Sequence, residues 1–271
     1  NCTFENYDGD WDNWTPKLGV SWAFAEGVMA YTYWTQGFRA GGFNFRNAKP
    51  LVLPPGPTLQ EEQDVWEIGI KSELWDNRLR LNLAYFLTKI DDIQREVNVP
   101  DPDVIVLQGT INAGDVTIKG VEIDFAALLT ENFYIDGTVG YMDGEYDFKN
   151  PAFAGFLGDD LPRLAPWSFG LGANYDVPLQ NSSLINLRAD YGWRDQNAYN
   201  DSNTEFFEIQ RRLGASVSWQ SPESVWRVSL FGKNLLDEAN WGNLTEIGAL
   251  GYTAGPMLKG REYGVEIQYQ L

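Results

Sequence analysis

Leu184–Arg194, LINLRADYGWR, decides how the rest of the chain is read. Successive side chains of an extended strand point to opposite faces, so Ile185, Leu187, Ala189, Tyr191 and Trp193 share one side. Asn186, Arg188, Asp190, Gly192 and Arg194 share the other. A sandwich strand seldom backs its apolar face with so charged a partner. A strand with lipid on one side and water on the other does so routinely.

The same alternation recurs outward in both directions. In Arg78–Lys89, Leu79, Leu81, Leu83, Tyr85 and Leu87 face away from Arg78, Arg80, Asn82 and Thr88. Trp167, Phe169, Leu171, Ala173 and Tyr175 alternate with Ser168, Gly170, Gly172 and Asn174. Near the end, Tyr263, Val265, Ile267, Tyr269 and Leu271 alternate with Glu262, Gly264, Glu266, Gln268 and Gln270. These runs predict about eleven strands, near 14–25, 28–39, 64–75, 78–90, 112–128, 133–146, 165–177, 183–195, 206–219, 224–235 and 259–271.

Short links such as Glu26-Gly27 and Asp76-Asn77 take turns with long ones near 40–63, 91–111, 147–164, 196–205 and 236–258. That asymmetry fits a transmembrane antiparallel β-barrel with tight turns on one side and long loops outside. Tryptophans near predicted strand ends, among them Trp14, Trp22, Trp34, Trp66, Trp75, Trp193, Trp219 and Trp226, suit a lipid–water boundary. The long links are acidic: Asp91–Asp115 holds six carboxylates against Arg95, and Asp143–Asp160 five against Lys149. They are expected to be solvated outer loops.

Composition removes several function classes. The net charge of −18 gives no clustered basic surface for nucleic acid. Cys2 is the only cysteine, which excludes a disulfide or thiolate zinc site within the chain. There is no histidine, and with it go the commonest general base, the commonest transition-metal ligand and any Ser-His arrangement. No catalytic residue, metal site or resident cofactor is therefore expected.

Several segments resemble the barrel of TonB-dependent outer-membrane receptors. Tyr31–Asn44, YTYWTQGFRAGGFN, is similar to the family's aromatic strand and its Gly-Phe-Arg-x-Gly-Gly-Phe loop. Glu67–Phe86, EIGIKSELWDNRLRLNLAYF, resembles its strand–turn–strand hairpin, and Ile118–Phe125, IKGVEIDF, its Gly-Val-Glu strand. Gly232–Asp237, GKNLLD, and Arg261–Leu271, REYGVEIQYQL, resemble the penultimate element and the final strand. Order and spacing carry the resemblance more than any one motif does.

The resemblance implies an active importer of a scarce ligand such as a ferric siderophore, energised by the TonB complex and folded into the outer membrane of a Gram-negative cell. Its implied partners are outer-membrane lipid, the barrel-assembly machinery and the TonB complex, the last through a region outside residues 1–271. The plug domain of such receptors is not among these residues, and Leu271 stands where the family usually ends on an aromatic residue. Alternating links place Asn1 in an outer loop, and an odd number of strands cannot close alone. The expectation is thus that 1–271 is the C-terminal portion of a barrel of about 22 strands, a size whose lumen holds a plug.

Candidate ligand contacts are polar groups near the outer strand ends: Gln36, Arg39, Arg194, Asp195 and Asn243. Arg39 and Arg194 can attract an anionic chelate, or equally pair with loop carboxylates. Gly37, Gly41 and Gly42 read as turn residues, and Asn234 and Asp237 as local caps. Three other readings stay open at this point: a passive porin, an outer-membrane enzyme and a soluble β-sandwich. An upstream plug, a catalytic histidine and detergent-free solubility would respectively discriminate them.

Overall fold

The computed structural model describes residues 8–44, 49–99, 101, 103, 107–247 and 252–270. Asn1, Cys2 and Leu271 lie outside them. Seventeen strands follow in chain order: β1 Lys17–Ala25, β2 Val28–Arg39, β3 Glu61–Leu74, β4 Leu79–Asp91, β5 Gln94–Val99, β6 Leu107–Asn112, β7 Gly114–Thr130, β8 Phe133–Lys149 and β9 Trp167–Pro178. They continue with β10 Leu184–Arg194, β11 Asn197–Ala198, β12 Phe206–Phe207, β13 Gln210–Gln220, β14 Trp226–Lys233, β15 Thr245–Ile247, β16 Tyr252–Ala254 and β17 Glu262–Tyr269.

Eleven of them form one sheet in the order β1-β2-β3-β4-β7-β8-β9-β10-β13-β14-β17, and every adjacent pair in it is antiparallel. Register preserves the two faces from strand to strand. Trp34 pairs with Trp66, Trp66 with Leu87, Ile68 with Tyr85 and Leu83 with Ile123. Further along, Val139 pairs with Phe169, Phe169 with Trp193 and Leu187 with Val217. A one-residue slip anywhere would turn apolar side chains to the polar face, so the pattern itself holds the register.

The apolar face stays bare across the sheet. Trp22 is 68% exposed, Ile68 58%, Leu230 58% and Ile267 65%. An uncovered apolar face of this extent marks a surface that meets another apolar phase. Aromatic pairs line it in two rows. Toward the long links stand Trp34–Trp66, Tyr141–Trp167 and Phe169–Trp193, with ring centroids 6.0, 4.7 and 5.4 Å apart. Toward the short turns stand Phe133–Tyr175 and Trp226–Tyr269, at 6.1 and 4.7 Å. On β9 the rows are marked by Trp167 and Tyr175. Eight residues at about 3.3 Å each and a tilt of about 40° give roughly 20 Å of height, close to the roughly 25 Å apolar band of an outer-membrane barrel.

The opposite face is polar and cross-linked. The Tyr31 and Tyr33 hydroxyls donate to the two oxygens of Glu67 at 2.7 and 2.6 Å. Asn82 donates to Asp124 at 2.9 Å, Arg188 reaches Asp136 at 3.4 Å, and Asn186 donates to Asn174 and Asp176 at 2.8 and 2.7 Å.

The long links are not simply solvated. β5–β6, β11–β12 and β15–β16 form three hairpins within them. The best-buried cluster of the described residues is also there: Leu53, Val97, Leu107, Ile111, Leu157 and Leu161 pack together, with Ile90 at the end of β4, Ile93 just past it and Val116 on β7. Leu53, Leu107 and Val116 are 0–1% exposed. Removing each such side chain from water is worth about 1.5–3 kcal/mol. Of the carboxylates that suggested solvated loops, Glu96, Asp103, Glu145, Asp147, Asp159 and Asp160 are exposed, whereas Asp92, Asp101 and Asp115 are partly buried. The expected strand 206–219 is likewise divided, Phe206–Phe207 turning into the cap before β13 begins at Gln210.

Candidate functional site

The cap joins links that are remote in sequence. Asn44 donates to the carbonyls of Pro54 and Thr110 at 3.1 and 2.9 Å and accepts from Thr110 N–H at 2.7 Å. Gln94 Nε2 donates to Ala40 O and Leu59 O at 2.9 and 3.0 Å. Arg95 on β5 forms an ion pair with Asp201, and Asn203 exchanges two hydrogen bonds with the backbone of Asp160 at 2.8 and 2.9 Å. Tyr199 O–H donates to Leu244 O, and Thr253 to Glu205 at 2.8 Å. All five long links are thereby tied into one structure at the end of the sheet away from the short turns.

Charge in this cap is locally matched in places and strained in others. Lys49 bridges Asp101 and Asp103 at 2.6 and 2.8 Å, and both hydrogen bonds raise its pKa. Lys149 holds Asp159 at 2.6 Å and lowers its pKa. Asp92, just past β4 with φ +54°, is pushed the other way: burial raises its pKa, and Asp115, Asp91 and Glu62 add repulsion.

Of the expected contacts, Arg194 and Asn243 are joined through Arg163, a residue the sequence did not single out, while Asp195 bonds elsewhere. Arg194 donates to Arg163 O at 3.0 Å, and the Arg163 guanidinium donates to Asn243 Oδ1 at 3.3 Å while lying 5.0 Å from the Tyr199 ring centroid. Arg163 N–H is anchored on Ala198 O at 2.7 Å, with φ +65°. Asp195 N–H donates to Trp167 O at 2.9 Å and its Oδ1 accepts from Gln196 N–H at 2.9 Å. Nothing local marks Arg163 in the sequence, since its partners lie 31 and 80 positions away.

Gln36 and Arg39 sit apart from that group, on β2. Arg39 pairs with Glu61 on the polar face, whereas Gln36 pairs with Asp64 on the apolar face, where Asp64 already accepts from the Trp34 indole at 2.8 Å. An odd separation along a strand puts the two on opposite sides.

A sheet with one bare apolar face, one hydrogen-bonded polar face and one elaborated end is the geometry of a stretch of barrel wall set between lipid and water. The family model for "TonB dependent receptor-like, beta-barrel" matches residues 2–235. The chain belongs to this TonB-dependent receptor family. Receptors of the family are outer-membrane proteins that serve transport and are not enzymes.

The metal-pseudopaline receptor CntO of Pseudomonas aeruginosa is 29% identical over 131 residues, 48% of this chain and 17% of that protein. Two solved structures share the fold. The ferric yersiniabactin uptake receptor FyuA from Yersinia pestis superposes with a TM-score of 0.76 at 19% identity, over 93% of this chain and 36% of that one. The siderophore receptor PiuA from Acinetobacter baumannii gives 0.70 at 18% identity, over 93% and 35%. The chain thus spans about a third of the length of the solved receptors it matches. Among its described residues no helix is long and apolar enough to cross a membrane, which says nothing of a barrel that crosses with strands.

Proposed function

We propose that the protein is an outer-membrane receptor that imports a scarce ligand, a ferric siderophore by preference, with energy delivered through TonB. The observation that carries this reading is the family match over a wall whose two faces are sorted for lipid and water. The named cargo of CntO, FyuA and PiuA supports a metal chelate as the ligand class.

On this reading residues 1–271 are the C-terminal portion of a barrel of about 22 strands, with the plug domain and the first barrel half contributed by chain outside them. Eleven strands over about a third of a receptor's length accord with that division. Ligand enters from the capped end, where Arg194, Asn243 and Arg163 offer contacts around one loop cluster, and Arg39 offers a cation on the polar face. Gln36, turned to the other face, is left outside the contact set.

Conductance of the intact protein in planar bilayers tests the reading against a passive channel. A plugged receptor carries no steady ion current. A stable, ligand-independent conductance would identify a porin and overturn the proposal.

A further inference from the structure

Carboxylates outnumber lysine and arginine in this chain by 38 to 20, and Arg95, Arg188, Arg211 and Arg261 each belong to an ion pair. Three arginines at the capped end, Arg163, Arg194 and Arg212, have no carboxylate partner among the described residues. All three are exposed. Arg194 donates to the Arg163 carbonyl at 3.0 Å and Arg163 to Asn243 Oδ1 at 3.3 Å, both uncharged acceptors that leave the positive charge in place. Arg212 makes no hydrogen bond, ion pair or ring contact among the described residues.

Register puts two of these guanidiniums on one wall. Arg194 is opposite Gln210 and Gly192 opposite Arg212 on the polar face, so Arg194 and Arg212 are diagonal neighbours with Cα atoms about 7–8 Å apart. A Cβ at Gly192 would meet nothing within 4 Å, which leaves open space beside Arg212. Arg211, the next residue, belongs to the other face and holds Glu238 at 3.0 Å. The carboxylate that β10 adds to the polar face is Asp190, opposite Gly214, and it forms no ion pair with Arg212. A guanidinium presents a planar fork of donors that matches a carboxylate bidentately. Two such forks side by side, exposed and without an acid between them, fit an anion and not a cation.

We propose that Arg194 and Arg212, flanked by Arg163, bind carboxylate groups of a small ligand at the capped end of the polar face. The inference rests on the import reading and narrows it: the cargo carries at least two carboxylates on its periphery, whatever chemistry holds its metal.

The test is calorimetric titration of the intact receptor, purified in a maltoside detergent at about 0.15 M salt, where diffuse charge effects are screened beyond roughly 8 Å. Tricarballylate, a tricarboxylate, is the probe, and its triamide, of the same shape without charge, is the control. Saturable tricarballylate binding is expected although the net charge of −18 repels an anion, with none for the triamide. Arg212→Gln removes no internal contact and should weaken binding about tenfold, the size of one charge-assisted hydrogen bond. Arg227→Gln, at another exposed arginine of the polar face but at the short-turn end of β14, should leave it unchanged. Absence of saturable binding, equal binding of the triamide, or an equal loss in Arg227→Gln overturns the proposal. The titration needs neither iron nor TonB. A receptor that binds tricarballylate but imports no chelate refutes the import reading and leaves this site standing, whereas import without tricarballylate binding refutes the site alone.

Discussion

Leu171→Arg gives a direct reading of which face of the wall meets lipid. Leu171 is 45% exposed, pairs with Gly137 and Tyr191 on the apolar face, and lies midway on β9 between the aromatic rows marked by Trp167 and Tyr175. That position is near the middle of the apolar band, where an arginine facing lipid costs about 2–4 kcal/mol. The folded-to-unfolded ratio should therefore fall by roughly 30- to 1,000-fold, since each 1.4 kcal/mol is a factor of ten. The matched control is Gly170→Arg, one residue away on the polar face. A Cβ at Gly170 meets only Thr138 Oγ1, at 3.6 Å, an ordinary contact, and the register sets Thr138 and Gly192 beside it. Its cost should stay under about 1 kcal/mol, as for a surface change away from special features. Urea unfolding of the intact barrel in phosphocholine vesicles, followed by tryptophan fluorescence, measures both. Equal costs, or a larger one for Gly170→Arg, would refute the assignment of faces.

Three further outcomes follow from particular contacts. Gly114 has φ +142°, and a Cβ there would lie 1.9 Å from Phe148 O, so Gly114→Ala should destabilise the start of β7 by at least about 1–3 kcal/mol in the same unfolding assay. Asp201→Asn removes the ion-pair partner of Arg95 where hairpin β5–β6 meets the link after β10; it should leave unfolding of the wall nearly unchanged while speeding amide exchange in Gln94–Val99, read by mass spectrometry. The raised pKa of Asp92 means that folding disfavours its charged form, so its contribution is unfavourable at pH 7 and is relieved as pH falls through the folded-state value. Thermal stability of the cap should accordingly rise modestly as pH falls from 7 into the ordinary carboxylate range in the native protein, and Asp92→Asn should start higher and lose that part of the rise.

Much of the wall was legible because its physics is local. A period of two over eight or more residues, as in Leu184–Arg194, needs no knowledge of the neighbour to assign faces, and eleven wall strands follow from it with ends shifted by a few residues. The cap was hidden by its own charges. Val97, Val99, Leu107 and Ile111 alternate with polar residues as any half-buried strands do, yet the short arms lie in a stretch rich in carboxylates, and composition outweighed periodicity. The candidate site was read only in part for a related reason. Arg194 and Asn243 sit at strand ends and in a long link, which position alone suggests, but Arg163 joins them through a backbone carbonyl and a left-handed turn that leave no sequence signature.

Accumulation of labelled iron by cells reads out energy-coupled import itself. A Gram-negative strain stripped of its own siderophore receptors and expressing the intact protein would be offered a panel of ferric siderophores, with and without a functional TonB complex. Energy-coupled import requires accumulation of at least one chelate that saturates with concentration and disappears when TonB is removed. Uptake that persists without TonB and rises linearly with concentration would show a passive channel and contradict it.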